Sequence, residues 1–396
     1  MTKQKSVQVI VIGPSHGNAL GVIRSLGEEN VRPFFLQVGK KSNFVRHSKY
    51  ISGSDSVETV EEVIPYLLQH FSDLSEKPFL IPTSDHCSAK IGEAYHILSN
   101  KYIMPHANNP GDIGKMMDKQ WQHNLANKCG LHTPQTWVIS KESSSIPEEI
   151  QYPCFTKSAN SLNGGKTNTH ICNNADELSR IIEKTTDTIQ VQELIDKNTE
   201  LDLLGFVAPN GDVFINSGFY FLSCSKTSYG NDARHLSIED IEKKFPIDKK
   251  RIKEFMRQTS YKVGYFSVEF LIDKENKAYF TEVNLRNDAY TYGTTVAGCN
   301  IHHLLYKAIK GESYDFSGTI TPKNFLADGP DFCEHVLTLH NRRSLISWYR
   351  YFKSHDCYTI YNKRDKGPVF AYAKEVLISY SCVLWHRLLG KIKSNN

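Results

Sequence analysis

The sequence predicts an α/β protein, and three features of the chain carry that prediction. Residues 7–12 form a short apolar run that ends in a turn with two glycines, and residues 19–26 continue with helical spacing. Residues 33–38 and Phe79–Pro82 are further short apolar runs of the kind that form buried strands. Later in the chain, apolar and polar residues alternate over several segments, which indicates antiparallel strands. We therefore expect a Rossmann-like parallel sheet first and antiparallel hairpins after it.

The composition limits the compartment and the class of partner. With 396 residues the chain is long enough for two or three domains, and 40% hydrophobic and 23% charged residues are ordinary for a globular protein. Eleven Lys or Arg residues and only three acids fall within residues 342–396, so the positive charge is concentrated there and no nucleic-acid partner is expected. Nine scattered cysteines, no signal-type N-terminus and no long apolar stretch predict a cytoplasmic protein.

A predicted β-hairpin at residues 266–283 holds the strongest candidate site. Its two alternating runs flank a polar turn, so Glu269 and Glu282, thirteen residues apart, can lie side by side across the strands. Asn284 shares the parity of Glu282 and emerges on the same face, and Arg286 continues that face. Two carboxylates and an amide oxygen, with no His or Cys, are hard-oxygen ligands suited to Mg²⁺. An ordinary amphipathic hairpin with solvated acids is the alternative that the pattern alone leaves open.

This stretch also resembles the metal-binding hairpin of the ATP-grasp ligases. In that family an acid, thirteen residues, the pattern E-x-N and often N-x-R recur, and they match Glu269, Glu282, Asn284 and Arg286 here. The first acid is frequently Asp in the family, so Glu269 is a departure. The resemblance implies ATP and two Mg²⁺ ions, which Mn²⁺ can replace, with Glu269, Glu282 and Asn284 as the metal ligands. It also implies that Arg286 stabilises the oxyanion of an acyl phosphate.

Other segments match the family in the same order along the chain. Residues 116–130 are predicted to form a helix with Asp118-Lys119 near its start, and Lys157 lies on a strand before the glycine-bearing loop 158–169. The family uses such lysines and loops to contact ATP phosphates, and a later strand to supply an adenine hinge and a ribose-binding acid. The resemblance therefore implies a nucleotide site formed by Lys119, Lys157, Gly164, Gly165, Glu193, Leu194, Ile195 and Glu200.

Three more residues are candidates near the reacting groups. Lys226 and Arg234 lie in a polar loop that covers the triphosphate in the family, and the sequence does not choose which of them reaches the γ-phosphate. Asp85 follows the predicted strand Phe79–Pro82, at the end where parallel sheets bind ligands, so it is a candidate substrate contact. Capping of the following helix by Asp85 is the commoner role for such a residue.

The resemblance also divides the chain into parts. A pre-ATP-grasp α/β domain is expected at residues 1–112, an ATP-grasp domain at 113–320 and a basic, helical extension at 321–396. Within the second domain, the nucleotide subdomain is expected at about 133–200 and the metal and substrate subdomain at about 201–320. The predicted fold is therefore an ATP-grasp fold with an N-terminal Rossmann-like parallel-sheet domain.

The function that the resemblance implies is that of an ATP-dependent carboxylate–amine ligase. The chain looks most like the D-aspartate ligase-like and carbamoyl-phosphate-synthase-like members, which join small carboxylates and amines through an acyl phosphate and release ADP and phosphate. The alternatives are an ATP-grasp enzyme with another acceptor, such as carbamate or bicarbonate, and a non-catalytic nucleotide-binding regulatory module. The basic extension predicts either contact with a membrane or lipid-linked acceptor, or a helix packed on the body. A homodimer is a further expectation.

Overall fold

Sheets of two kinds, parallel and antiparallel, organise the structure, which is a computed structural model. It describes residues 8–72, 74–140, 146–160, 162, 169–185, 188–224, 230–337 and 343–393, with side chains in the last helix described up to residue 380. Within these residues, strands assemble into two four-stranded sheets and one seven-stranded sheet.

The N-terminal part forms a four-stranded parallel sheet. The elements are β1 (Val9–Gly13), α1 (Gly17–Glu28), β2 (Phe34–Val38), β3 (Gly53–Val57), α2 (Val63–His70), β4 (Phe79–Pro82), α3 (Asp85–Glu93) and α4 (Tyr95–Leu98), with a 3₁₀ turn at Phe44–His47. The strands lie in the order β3-β2-β1-β4, which is the crossover arrangement of doubly wound folds. The predicted Rossmann-like opening is therefore confirmed.

A small antiparallel sheet follows. The elements are α5 (Asp112–Met116), α6 (Lys119–Lys128), β5 (Thr136–Ile139), β6 (Cys154–Ser158), β7 (His170–Cys172), α7 (Ala175–Lys184) and β8 (Ile189–Glu193). The strands lie in the order β5-β8-β6-β7. Ile189 and Val191 pack with Leu178 of α7 in a small core on one face. Lys157 is paired with Gln190 in the register of β6 and β8, so both side chains belong to the other face.

The seven-stranded sheet forms the centre of the molecule. Its strands are β9 (Lys197–Val207), β10 (Val213–Phe221), β11 (Asp232–Ser237), β12 (Gly264–Asp273), β13 (Ala278–Asn284), β14 (Lys323–Leu326) and β15 (Cys357–Tyr358), in the order β13-β12-β9-β10-β11-β14-β15. The helices between and after them are α8 (Ile238–Lys244), α9 (Lys249–Gln258), α10 (Tyr292–Ala297), α11 (Ile301–Ile309) and α12 (Asp328–Phe332), followed by a π-helical turn at Cys333–Leu337. The hairpin predicted at residues 266–283 is β12-β13.

Alternation along the central strands directs apolar side chains to both faces of this sheet. Leu201, Leu203 and Phe270 are buried in a core with Phe255 of α9. Because successive side chains on a strand point to opposite faces, Asp202 and its even-numbered neighbours on β9 emerge on the other face. On that other face, Leu204 and Phe206 pack in a second buried core. The acidic face is therefore only the part that carries Glu200, Asp202, Glu269 and Glu282.

The helix predicted at residues 116–130 is two helices, so that prediction was wrong in its first turn. Helix α5 ends at Met116 and α6 begins at Lys119. The Asp118 carboxylate accepts a hydrogen bond from the Trp121 N–H at 2.7 Å, which makes Asp118 an N-cap with extended backbone. Lys119 is consequently the first residue of a new helix, and its position is fixed by that cap.

The C-terminal extension is helical, as expected, and is joined to the central sheet. Its elements are α13 (Leu345–Lys353), the short strand β15 and α14 (Gly367–Lys393). Strand β15 pairs in parallel with β14, so the sheet continues past the domain limit expected at residue 320. The domain limits themselves stay predictions. Among the described residues, no helix is both long enough and apolar enough to cross a membrane.

Candidate active site

The hairpin β12-β13 places the two glutamates of the candidate site opposite each other. Glu269 is the register partner of Glu282, and Ser267 is the partner of Asn284. The Asn284 side-chain amide donates to Glu269 Oε1 at 2.7 Å. A bulge leaves Thr281 as an extra residue, and its hydroxyl donates to the Glu269 carbonyl at 3.0 Å. The register therefore brings together two carboxylates and one amide on a single face.

A third carboxylate, which the sequence analysis did not single out, lies on the same face. Asp202 of β9 is the register partner of Glu269, and Glu200 is the partner of Leu271 two residues further along. Asp202 is buried, with 5% of its surface exposed. The signal in the sequence was the spacing of two residues between Glu200 and Asp202, which on a strand places both side chains on one face.

Two lysines from different elements face these acids. Lys119 Nζ lies 3.2 Å from Glu282 Oε2, and Lys157 lies on β6 of the small sheet. Burial alone would raise the pKa of Glu282, but the charges of Lys119 and Lys157 outweigh it and lower that pKa to about 2. Glu282 is therefore ionised at neutral pH.

The ammonium of Lys157 has the opposite shift. Burial and the nearby charge of Lys119 lower the pKa of Lys157 to about 8, although Glu282, Glu269 and Glu200 act against that shift. An additional anion beside Lys157 would offset the burial and favour its charged form. The group is therefore suited to a site that receives a negatively charged ligand.

Arg286 connects the hairpin to the N-terminal sheet. Its Nε and Nη2 atoms donate to the Asp85 carboxylate at 2.8 and 3.3 Å, and Nη2 also donates to Asn284 Oδ1 at 3.2 Å. Helix α3 is capped by Ser84, whose hydroxyl accepts from the Cys87 N–H at 3.3 Å. The capping role considered for Asp85 was therefore wrong, because the preceding serine performs it and leaves Asp85 to bind Arg286.

The segment expected to form the adenine hinge connects β8 to β9. The Glu193 carboxylate accepts from the Gln135 N–H at 2.9 Å, so its side chain is turned towards the loop before β5. That side contains a polar cleft of about 470 Å³ whose lining includes His123, His132 and Glu193. The backbone of this segment is also engaged, because the Glu193 N–H donates to the Gln135 carbonyl at 3.0 Å and the Ile195 carbonyl accepts from the Lys197 N–H at 2.8 Å. Glu200 forms an ion pair with Lys197, a second residue that sequence reasoning missed.

The remaining candidate site residues are Gly164, Gly165, Lys226 and Arg234. Gly164, Gly165 and Lys226 lie outside the described residues. Arg234 is paired with Tyr220, and Tyr220 with Leu201, so its side chain lies on the face opposite to Glu269. It donates to Asn324 Oδ1 at 2.9 Å on the neighbouring strand. Of the two cations considered for the γ-phosphate, Arg234 is therefore on the wrong side of the sheet.

The donor set fits Mg²⁺ better than zinc. Among the described residues, no three His, Cys, Asp or Glu side chains come together as a metal-binding group, so these side chains alone do not complete a site for either metal. The set consists of two glutamates and the Asn284 amide, with lysines placed to neutralise further negative charge. Oxygen ligands of this kind, few in number, leave room for waters and phosphate oxygens around Mg²⁺.

No family model matches the chain. Among curated proteins, the vancomycin/teicoplanin A-type resistance protein VanA of Enterococcus faecium is 37% identical over 67 residues, which is 17% of this chain and 19% of that relative. The similarity to VanA is therefore confined to a small part of each protein.

Solved structures match over most of the chain. The N5-carboxyaminoimidazole synthetase of Staphylococcus aureus aligns with a TM-score of 0.63 at 16% identity, covering 82% of this chain and 83% of that protein. An L-amino acid ligase of Bacillus licheniformis aligns with a TM-score of 0.62 at 15% identity, covering 81% and 79%. The biotin carboxylase domain of Hydrogenobacter thermophilus 2-oxoglutarate carboxylase, solved with MgADP and bicarbonate, has a TM-score of 0.58 at 15% identity and covers 80% and 73%. As the sequence predicted, the chain has the ATP-grasp fold that these proteins share.

Proposed function

We propose that this protein is an ATP-dependent carboxylate–amine ligase that forms an amide or peptide bond through an acyl phosphate and releases ADP and phosphate. The observation that carries the proposal is the facing pair Glu269 and Glu282, with Lys119 ion-paired to Glu282. Arg286 adjoins the pair through Asn284. This arrangement matches phosphoryl transfer, which needs charge neutralisation and positioning more than a covalent nucleophile.

Each residue has a role in that reaction. Glu269, Glu282 and Asn284 would hold two Mg²⁺ ions, or Mn²⁺, which when bound neutralise and orient the phosphates. Lys119 and Lys157 share the phosphate charge, and Lys226 is a further candidate for the γ-phosphate. The substrate carboxylate attacks the γ-phosphorus in line, and Arg286 stabilises the oxyanion when an amine attacks the acyl phosphate. Asp85 orients Arg286 and is a candidate substrate contact.

The nucleotide is proposed to lie between the small sheet and the acidic face of the central sheet. Backbone groups of Glu193, Leu194 and Ile195 are proposed to pair with the adenine edge. Gly164 and Gly165, which lie outside the described residues, stay predicted phosphate contacts. Glu200 accepts from the ribose hydroxyls, since one carboxylate can accept from two vicinal hydroxyls. Lys197 is ion-paired with Glu200 and would keep that carboxylate oriented.

Phosphate release on mixing the protein with ATP, Mg²⁺ and an amino-acid library tests the proposal. We expect ADP formation that requires both Mg²⁺ and a carboxylate, with an amide as product. ADP formed with bicarbonate in place of an amino acid would instead favour a different acceptor, as in the neighbouring carboxylase domain solved with bicarbonate. Nucleotide binding without turnover for any substrate would favour a regulatory module and contradict the ligase.

We further propose that the extension meets an anionic lipid surface or a lipid-linked acceptor. Leu345, Ile346 and Tyr349 on α13 are large, exposed apolar side chains, and Arg350 and Lys353 beside them are exposed cations. Each cation near an anionic surface contributes on the order of 1 kcal/mol. Shallow apolar contact adds to that attraction without an anchor. A cytoplasmic location and a homodimer are predictions from the sequence that accompany this proposal.

Sedimentation with vesicles tests the lipid proposal. The wild-type protein is expected to sediment with anionic vesicles at low salt, to remain in the supernatant with neutral vesicles, and to be released as salt screens the attraction. The double variant Arg350→Ser/Lys353→Ser should bind the anionic vesicles less, with an unchanged melting temperature because both side chains are exposed. Wild-type protein that stays in the supernatant with anionic vesicles at low salt would end the proposal.

A further inference from the structure

Strand β13, which carries Glu282 and Asn284, lies at the edge of the central sheet. On an edge strand, every second residue directs its N–H and C=O away from the sheet. Such groups need partners when they are buried. Val283, which is 2% exposed, is the residue whose backbone groups point outward between the two proposed metal ligands.

The side chain of Gln122 supplies hydrogen-bond partners for both the N–H and the C=O of Val283. Gln122 Nε2 donates to the Val283 carbonyl at 3.0 Å, and Gln122 Oε1 accepts from the Val283 N–H at 2.9 Å. The same Nε2 donates to the Met116 carbonyl at 2.8 Å, so both amide hydrogens have acceptors. Gln122 is completely buried. Its amide therefore pairs with β13 in the way that a neighbouring strand would.

The same turn of α6 makes contacts on either side of this pair. Lys119, three residues before Gln122, contacts the Glu282 carboxylate, and His123 Nε2 lies 2.9 Å from the Thr281 carbonyl. Burial lowers the pKa of His123 to about 4, with a smaller effect from the charge of Lys157, so the ring is neutral and donates to that carbonyl. Three consecutive residues of β13 are thus fixed by one helical turn.

We propose that Gln122 is a positioning residue that sets the spacing of Glu282, Asn284 and Lys119 for the metal and the phosphates. It touches neither, and it acts through the backbone of Val283. This inference rests on the proposed function. Supporting groups of this kind typically account for about 10–100-fold in metal affinity or activity.

Substitution of Gln122→Met tests the inference, because methionine has a similar length and neither donates nor accepts strongly. Asn124→Met is the matched control, since Asn124 is an exposed residue of the same helix. Hydrogen exchange at the Val283 amide should become faster in Gln122→Met and stay unchanged in Asn124→Met. This readout does not depend on any activity.

The second readout is Mg²⁺-dependent binding of ATP. We expect Gln122→Met to need at least about 10-fold more Mg²⁺ than wild type for half-maximal binding, and Asn124→Met to match wild type. Faster Val283 exchange with an unchanged Mg²⁺ requirement would show that Gln122 is merely structural and would overturn the inference. Wild-type protein that binds no Mg²⁺-ATP would overturn the proposed function as well, and the wild-type titration distinguishes these two failures.

Gln122→Glu keeps the test decisive if Gln122→Met fails to fold. The glutamate has the shape of glutamine but carries a donor only when protonated. Relative to wild type at each pH, its Mg²⁺ affinity should be reduced at pH about 8 and partly regained at pH about 5.5, as burial favours the neutral acid. The recovery is partial because the acid has one O–H for the two carbonyls, of Val283 and Met116, to which Gln122 donates. A reduction that does not change with pH would contradict a role that depends on donation to the Val283 carbonyl.

Discussion

The two edges of the central sheet are held in different ways. At the β13 edge, a few side chains of α6 contact the backbone of a strand that carries the charged site. At the β15 edge, the extension is fixed by buried aspartates: Asp328 accepts from the Ile360 and Tyr361 N–H groups, and Asp365 forms a fully buried ion pair with Arg24 at 3.1 Å. The first edge places ionised groups where a ligand can reach them, whereas the second encloses them completely.

Because of this difference, substitutions at the two edges should differ in their effects on activity and stability. Charges around Glu282 are partly exposed, so changing one should reduce activity more than it reduces stability. Charges around Asp365 have no access to solvent, so removing one leaves its partner buried and uncompensated.

The largest expected effect is on stability at the β15 edge. Asp365→Ala removes the partner of Arg24 and the acceptor for the Ser48 hydroxyl, and should lower the free energy of unfolding by about 3–5 kcal/mol. Asp356→Ala is the control on the same extension, because Asp356 pairs with Lys323 near the surface and should cost about 1 kcal/mol or less. Urea denaturation measures both. Equal losses for the two variants would remove the distinction between the edges.

The next effect is on turnover at the β13 edge. Glu282→Gln should lower kcat by about 10²-fold or more, the order expected when one electrostatic contributor to the transition state is lost. The melting temperature should fall less than in Asp365→Ala, because the side chains of Glu282 and Lys119 are 22% and 13% exposed whereas Asp365 and Arg24 have no exposed surface. Glu275→Gln, in the exposed turn of the same hairpin, is the matched control and should retain wild-type kcat. Wild-type turnover by Glu282→Gln would contradict the metal assignment.

The smallest effect concerns pH. Protonated Lys157 binds phosphates better than the neutral amine, and its pKa in the free protein is lowered to about 8. ATP affinity should therefore fall as pH rises above about 8, by up to about tenfold per pH unit. Lys157→Arg stays charged over this range, so its affinity should not follow that fall. Binding measured by calorimetry from pH 7 to 10 checks this, and identical slopes for the two proteins would exclude Lys157 as the titrating group.

The sequence predicted the strands and charged residues of the site better than the distant residues that hold them in place. The alternation around Glu269 and Glu282 defines both the hairpin and the shared face, because strand periodicity is a local property. The contact between Asp85 and Arg286 joins residues 201 positions apart, and no local pattern specifies it. Gln122 was missed for the same reason, since a glutamine on a helix reveals nothing about the strand edge it meets.

The N-terminal caps of two helices were predicted wrongly. Asp118 has the residue type and the position of an N-cap, yet it was assigned to the interior of a helix starting at residue 116. Ser84 and Asp85 are both good caps, and the choice between them depends on Arg286 arriving from a distant part of the chain. The extension was predicted as helical from its aromatic and apolar spacing, but β15 has too few residues to leave a strand signal.

The central claim is that the face shared by Glu269 and Glu282 holds the metal ions of a bound nucleotide. Counting bound Mn²⁺ by electron paramagnetic resonance, in the presence of a non-hydrolysable ATP analogue, tests it most directly. We expect two Mn²⁺ per wild-type chain and fewer in Glu282→Gln, with Glu275→Gln equal to wild type. The same number of Mn²⁺ ions, bound with the same affinity, in wild type and Glu282→Gln would contradict it.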